Sequence, residues 1–121
     1  MNGPAIGIGA TLIPHCDAAY CSTSAYFWTP FARIAVVPEF CSSLLFPEVL
    51  GISVANEMLL FGRKLGAEAA HERGFVSDVL APELLLPHVC TALCKPFPSA
   101  DRSARLAARE FVTWFRLGMR Q

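Results

Sequence analysis

The order of its segments predicts an α/β or α+β domain in which short strands come first and helices follow. Up to residue 38, glycine, proline and short apolar runs alternate, as is typical of strands joined by turns. After residue 39, longer segments with apolar side chains at helical spacing take over. With 121 residues, the chain has the length of one domain.

The first third is expected to contain three short strands. Gly7 and Gly9 fit places where the backbone passes close to another group. Thr23 and Ser24 predict a turn between two strands. The expected elements are a buried strand within residues 2–9, a short helix over 10–16, strands over 17–22 and 25–29, and a loop between prolines over 29–38.

Helices are expected to dominate the remainder. Pro47 should bend or end the first helix, Gly51 should close it, and Ser53 is the expected N-cap of the second. The expected helices span residues 39–49, 53–61, 67–73, 83–94 and 99–119, with a strand over 75–80. The run KPFPS at residues 95–99 separates a core, residues 1–95, from a terminal helix within residues 96–121.

The composition is more apolar than that of an average small domain. Hydrophobic residues make up 54% and charged residues 17%, against usual values of about 45–50% and 25%. A membrane span is not expected, because no apolar run reaches about 18 residues, and the start lacks the features of a signal peptide. We therefore expect a soluble chain whose apolar surface meets a partner or a further part of its own domain.

The charged and sulfur-containing residues exclude several functions. Ten basic and ten acidic residues give a net charge of zero, so nucleic-acid binding is not expected. Five cysteines without a secretory signal indicate a reducing compartment, and the spacing of His88, Cys90 and Cys94 matches no common zinc pattern. In the terminal segment, arginines share one helical face, which is either a solvated face or an anion-facing one. They are Arg102, Arg105, Arg109, Arg116 and Arg120.

Two places carry residues suited to chemistry. Gly7-Ile8-Gly9 lacks the third glycine of a dinucleotide fingerprint, but a backbone free of side chains there can present an N–H to a ligand oxygen. Glu39 follows Pro38 in a stretch with few other charges. Apolar surroundings would favour its neutral carboxyl, whereas a helix N-terminus would favour the carboxylate, and the sequence leaves this open. Taken alone, a glutamate at a helix start is most often a capping residue.

Several runs between residues 2 and 80 occur together in a known order and spacing. They are NGPAIGIGATLIPHCDAAY, TPF, PEFCSS, FPEVLG, ANEMLLFGRKL and AAHERGFVSDVL. They resemble the enoyl-CoA hydratase/isomerase (crotonase) superfamily, most closely the Δ3,Δ2-enoyl-CoA isomerases of peroxisomes and mitochondria and the related domain of chromodomain Y-like proteins. The resemblance implies a partial ClpP/crotonase-like fold, with the N-terminal half of the spiral core missing ahead of residue 1.

The resemblance also implies roles for single residues. Gly7 and Ile8 match the oxyanion-hole turn, with the Ile8 N–H as donor, and Glu39 matches the isomerase acid/base of fatty acid β-oxidation. Pro38, Phe40 and Phe31 are then assigned to the acyl pocket. The hydratases carry two glutamates at the positions of Thr11 and Phe31, so water addition is not expected. No cofactor or metal is expected, because CoA is part of the substrate.

The departures from the family pattern leave two interpretations open. Relatives carry glycine at the positions of Ala35 and Phe40, and the other oxyanion N–H and much of the CoA-binding loop belong to the half that should precede residue 1. The chain is therefore either a truncated isomerase acting on acyl-CoA or a non-catalytic interaction module. The family implies a trimer-type homo-oligomer in a peroxisome or mitochondrion, although the chain does not end in a Ser-Lys-Leu signal.

Overall fold

Helices and short strands alternate along the chain, which confirms the predicted α/β class. The computed structural model describes residues 1–93, 103–110 and 112. The chain divides into two units, Met1–Val89 and Cys90–Gln121. The elements are β1 (Ala5–Ile6), α1 (Ile8–Thr11), β2 (Tyr20–Ser22), β3 (Tyr26–Trp28), α2 (Ser42–Leu50), α3 (Ile52–Leu59), β4 (Leu65–Gly66), α4 (Ala67–Glu72), β5 (Asp78–Leu80) and α5 (Pro82–Leu93), with 3-10 turns at Ile13–His15 and Phe31–Ile34.

Parts of the expected C-terminal organisation fall outside the described residues. These are the break at residues 95–99, the boundary at residue 95, Cys94, and the arginines 102, 116 and 120. Residues 103–110 and 112 of the second unit are helical, and Arg105 and Arg109 are exposed there.

Two small sheets organise the first unit. In the first sheet, β3 is central, parallel to β1 and antiparallel to β4, with Ala5 opposite Phe27 and Leu65 on its other side. In the second sheet, β2 is parallel to β5, with Cys21 opposite Val79. The predicted strands on either side of the Thr23–Ser24 turn are confirmed, and the turn sends them into different sheets.

The predicted strand over residues 75–80 is wrong in its first half. The N–H groups of Phe75 and Val76 donate to the Ala70 carbonyl, at 2.8 and 3.4 Å, and so close α4 instead of joining a strand ladder. Pairing starts only at Asp78. The sequence does not predict the short strand β4, because a two-residue strand offers no alternation of apolar and polar side chains.

Three phenylalanines form the centre of the core. The Phe75 ring lies between Phe27, at 5.3 Å and 79° between ring planes, and Phe46, at 5.2 Å and 83°. Such edge-to-face pairs add about 0.5–1.5 kcal/mol each to the free energy of burial. Met58 of α3 and Leu50 of α2 are also fully buried in this cluster. The core therefore fastens α2 and α3 to β3.

The outer side of β3 carries Tyr26 and Trp28, which are covered by cations. Lys64 Nζ lies 4.6 Å from the Tyr26 ring centroid and 5.1 Å from that of Trp28, and the Arg33 guanidinium lies 5.8 Å from the Trp28 ring. Trp28 Nε1 also donates to the Gly62 carbonyl at 2.9 Å. These contacts fix the end of β3, to which the first candidate site segment is attached.

The starts of α2 and α3 differ from the predicted ones. The prediction that Glu39 opens α2 is wrong, because Phe40 and Cys41 have φ of 53° and 56° and helical geometry begins only at Ser42. Pro47 lies inside α2 and does not end it. Gly51, with φ 82°, closes α2 as expected, but it also precedes α3 as its N-cap. The prediction of Ser53 as N-cap is therefore wrong.

Candidate active site

The turn between β1 and α1 requires glycine at position 7. Gly7 has φ 56° and ψ −122°, the conformation of the first central residue of a type II′ turn. A Cβ built on Gly7 would meet nothing within 4 Å, so the requirement comes from backbone conformation and not from lack of space. The Gly7 N–H donates to the Trp28 carbonyl at 2.9 Å, which ties the turn to β3.

The same turn leaves the N–H of Ile8 available. The Gly7 carbonyl accepts from the N–H groups of Ala10 and Thr11, at 2.9 and 3.0 Å, and therefore points into α1. In a trans peptide the N–H points opposite to the carbonyl, so the Ile8 N–H points away from α1. Within residues 1–93, 103–110 and 112, no acceptor is found for it. An N–H in this state can donate to an external oxygen.

Glu39 lies at the start of a tight turn ahead of α2. Its carbonyl accepts two hydrogen bonds from Ser42, one from the N–H at 2.9 Å and one from the hydroxyl at 2.6 Å. With both central residues, Phe40 and Cys41, at positive φ, the segment Glu39–Ser42 is a type I′ turn. The Glu39 side chain is exposed. We call residues 39–42 the Glu39 turn.

Sequence reasoning missed one residue that touches the Glu39 turn. His15 Nε2 is 2.9 Å from the Phe40 carbonyl oxygen, and its ring packs edge-on against the Phe40 ring at 4.6 Å. His15 ends the 3-10 turn that continues the helical segment begun at Ile8. The structure thus brings the segment that starts with the candidate N–H donor into contact with the turn of the candidate carboxylate. No local pattern predicts a contact across 25 residues.

The residues assigned to the acyl pocket differ in exposure. Phe31 is 3% exposed and belongs to the core cluster, whereas Phe40 is 45% exposed and Pro38 is half-buried. Thr11 is fully buried, and its hydroxyl is 3.5 Å from the Ile8 carbonyl. Neither position 11 nor position 31 therefore places a carboxyl group beside the candidate site.

Metal ligands do not converge in the described part of the chain. Among residues 1–93, 103–110 and 112, no three His, Cys, Asp or Glu side chains come together. His88 instead packs against the Tyr20 ring, at 5.7 Å between centroids.

In the same residues, none of the helices combines the length and the apolar character that crossing a membrane requires.

Fold and site together define an α/β protein in which a strand-to-helix turn offers an N–H donor and the Glu39 turn, ahead of α2, bears an exposed carboxylate. The sequence profile of the enoyl-CoA hydratase/isomerase family matches residues 1–116. The chain belongs to this family.

Two similar proteins illustrate the relatives of this chain. The chain is 51% identical over 82 residues to mouse chromodomain Y-like protein 2, covering 68% of this chain and 16% of that protein. It is 42% identical over 112 residues to mouse peroxisomal enoyl-CoA delta isomerase 3, covering 93% of this chain and 35% of that protein. The chain thus spans a minor part of the length of either relative.

Solved structures show the same fold. The enoyl-CoA hydratase/isomerase of Pseudoalteromonas atlantica T6c superposes with a TM-score of 0.79 at 36% identity, over 92% of this chain and 46% of that one. The enoyl-CoA hydratase of Mycobacterium avium gives a TM-score of 0.84 at 26% identity, over 98% and 54%. The expected crotonase fold is confirmed, and this chain corresponds to about half of each structure.

Proposed function

We propose that this chain provides the carboxylate half of an enoyl-CoA delta isomerase site, which moves a double bond from Δ3 to Δ2 in an unsaturated acyl-CoA. The observation that carries the proposal is the contact between His15 and the Glu39 turn. It couples the segment that begins at the Ile8 N–H to the turn that bears the exposed carboxylate. The likeness to a peroxisomal enoyl-CoA delta isomerase over 93% of the chain supports the same reaction, and with it a peroxisomal location.

In the proposed reaction, Glu39 moves one proton between two carbons. The Ile8 N–H donates to the thioester oxygen, and Glu39 takes a proton from C2, so that the electron pair forms a dienolate. The dienolate then takes the proton back from the Glu39 carboxyl at C4, which leaves a C2–C3 double bond. One carboxyl suffices, because C2 and C4 lie on the same face of a planar dienolate.

Isomerisation fits the residues better than water addition. Activation of water and protonation of carbon require a pair of acid/base groups, and the two positions that the resemblance assigns to them hold Thr11 and Phe31. Both are buried, and neither side chain exchanges protons near neutral pH. The hydratase alternative therefore lacks its acid and its base.

The proposal assigns only part of the site to this chain. The resemblance places a second oxyanion N–H and much of the CoA-binding loop in a segment ahead of the matched region. Losing one such donor costs about 10²–10³ in rate in an acyl-transfer enzyme. We therefore expect slow turnover from this chain alone, and faster turnover from a longer chain that includes that segment.

The direct test follows the absorbance of conjugated 2-enoyl-CoA formed from a 3-enoyl-CoA. Glu39→Gln keeps the size of the side chain but removes the base, so the rate should fall by about 10²–10⁴. Glu72→Gln, at an exposed glutamate of α4, is the matched control and should leave the rate unchanged. Equal rates in wild type and Glu39→Gln would exclude Glu39 as the base.

A second candidate function is a non-catalytic module for association with further copies of the chain. The observation that favours it is a run of exposed apolar side chains just ahead of the Glu39 turn, with Ile34, Val36 and Val37 exposed by 61%, 48% and 78%. Solvent-exposed runs of this kind mark interaction surfaces. A folded, inactive wild type whose sedimentation shows oligomers, dispersed by Val37→Asp, would favour this function over catalysis.

A further inference from the structure

We propose that His15 is a positioning residue, which holds the Glu39 turn in its left-handed conformation and so sets the direction of the Glu39 carboxylate. The catalytic part of this inference rests on the proposed function. The conformational part stands on the contacts alone, because it concerns two segments that lie 25 residues apart in sequence.

The hydrogen bond defines the protonation of the ring. A carbonyl oxygen only accepts, so His15 Nε2 must carry the hydrogen in the bond to the Phe40 carbonyl at 2.9 Å. The edge-on packing of the two rings, with an interplanar angle of 76°, holds the imidazole in register with that carbonyl. The His15 ring therefore contacts both the backbone and the side chain of Phe40.

The Glu39 turn needs such a contact, because two successive residues with side chains adopt positive φ. For Phe40 and Cys41, the left-handed conformation costs about 1–2 kcal/mol each relative to an ordinary backbone conformation. Such residues persist only where their surroundings hold them. Ser42 fixes the carbonyl of Glu39, and His15 fixes the carbonyl of Phe40. Together the two bonds determine the conformation between Glu39 and Cys41.

The consequence for Glu39 follows from its place at the first position of the turn. If the Phe40 carbonyl is released, the turn can relax towards conformations with negative φ, and the backbone that carries Glu39 rotates with it. A displacement of about 1 Å at a reacting group costs up to about 10²-fold in rate. His15 touches no part of the proposed reacting atoms, so its effect on the reaction passes through Glu39.

Amide hydrogen exchange tests the conformational part without any substrate. The Ser42 N–H closes the Glu39 turn, and the Gly51 N–H, bonded to Pro47 at the other end of α2, is the internal control. His15→Phe keeps a ring but removes the donor, whereas His15→Gln keeps an amide donor at similar reach. Loss of one hydrogen bond should speed Ser42 exchange about 5-fold in His15→Phe. His15→Gln should stay near wild type, and Gly51 should not change in either variant.

Steady-state kinetics tests the catalytic part with the same variants. His15→Phe should lower kcat about 10-fold or more with little change in KM, and His15→Gln should restore most of it. Unchanged Ser42 exchange in His15→Phe, or no rescue by His15→Gln, overturns the inference. Faster exchange with unchanged kcat overturns the positioning role alone. If wild type is inactive, the proposed function fails, and the exchange data still decide whether His15 holds the turn.

Discussion

The aromatic core and the segment from Ala35 to Cys41 differ in both burial and backbone conformation. Phe27, Phe46 and Phe75 are buried and pack edge-to-face, all in ordinary backbone conformations. In the segment, three of seven residues have positive φ without being glycine, and every side chain except that of Pro38 is exposed. The core is stabilised by burial of its side chains, whereas the segment keeps strained backbone conformations at the surface.

The difference indicates where stability and function reside. Burying a large apolar side chain contributes about 1.5–3 kcal/mol, so the core can hold conformations elsewhere that cost about 1–3 kcal/mol each. Strained residues cluster at functional sites, because the strained backbone fixes the direction of a side chain that function requires. Changes in the core should therefore reduce stability strongly, whereas relief of strain in the segment should increase it.

The largest effect is expected at the centre of the core. Phe75→Ala removes the ring that touches both Phe27 and Phe46, and should lower the free energy of unfolding by about 3–5 kcal/mol. Urea denaturation followed by tryptophan fluorescence measures this. Phe61→Ala, at a phenylalanine that is 75% exposed, is the matched control and should change stability by less than about 0.5 kcal/mol. Similar losses in the two variants would contradict the assignment of Phe75 to the core centre.

Relief of strain should give a smaller effect of opposite sign. Ala35 has φ 55° and ψ 39°, so Ala35→Gly removes the clash of Cβ with the backbone. After the higher entropy of unfolded glycine is subtracted, we expect an increase of about 1 kcal/mol in the free energy of unfolding. Ala32→Gly, three residues earlier at an exposed alanine with ordinary φ, should decrease the free energy of unfolding. An Ala35→Gly variant less stable than wild type would show that the strain is compensated locally.

The same contrast explains what the sequence could predict. Gly51, whose φ is 82°, marked the end of α2 correctly, whereas Pro47 lies inside that helix and does not end it. The sequence predicts a start of α2 that is too early, because Pro38 followed by a glutamate fits a helical first turn equally well. Only the left-handed conformations of Phe40 and Cys41 exclude it, and side-chain propensities argue against such conformations.

The candidate site was predictable only in its local parts. The glycine at position 7 and the carboxylate at position 39 stand out in the sequence, and whether Ile8 and Glu39 act on a substrate stays a prediction. The contact of His15 with Phe40 depends on packing between segments far apart in the chain. The left-handed geometry at Ala35 and Phe40 likewise gives a physical reason for the glycines that the resemblance places at these positions, which the sequence alone did not supply.

The smallest expected effect is a pH dependence of the free energy of unfolding, caused by the buried Cys21 thiol in the core. Burial raises the pKa of the Cys21 thiol, the Met1 ammonium partly opposes this, and Glu68 and Asp78 add to the rise. In the unfolded chain a cysteine titrates near pH 8.5. Above that pH the unfolded chain loses this proton while the folded chain keeps it, so stability falls as pH rises. Below that pH the Cys21 thiol adds no pH dependence to stability.

Cys21→Ala should remove this loss of stability at alkaline pH. Its free energy of unfolding is lower than that of wild type at pH 7, because a buried side chain is shortened. Between pH 7.5 and 9, however, the difference between the two proteins should shrink by less than about 1 kcal/mol. Cys41→Ala, at an exposed cysteine, serves as control and should show the pH dependence of wild type. Parallel curves for wild type and Cys21→Ala would mean that Cys21 reaches solvent, and that β2 opens more readily than the core around Phe75.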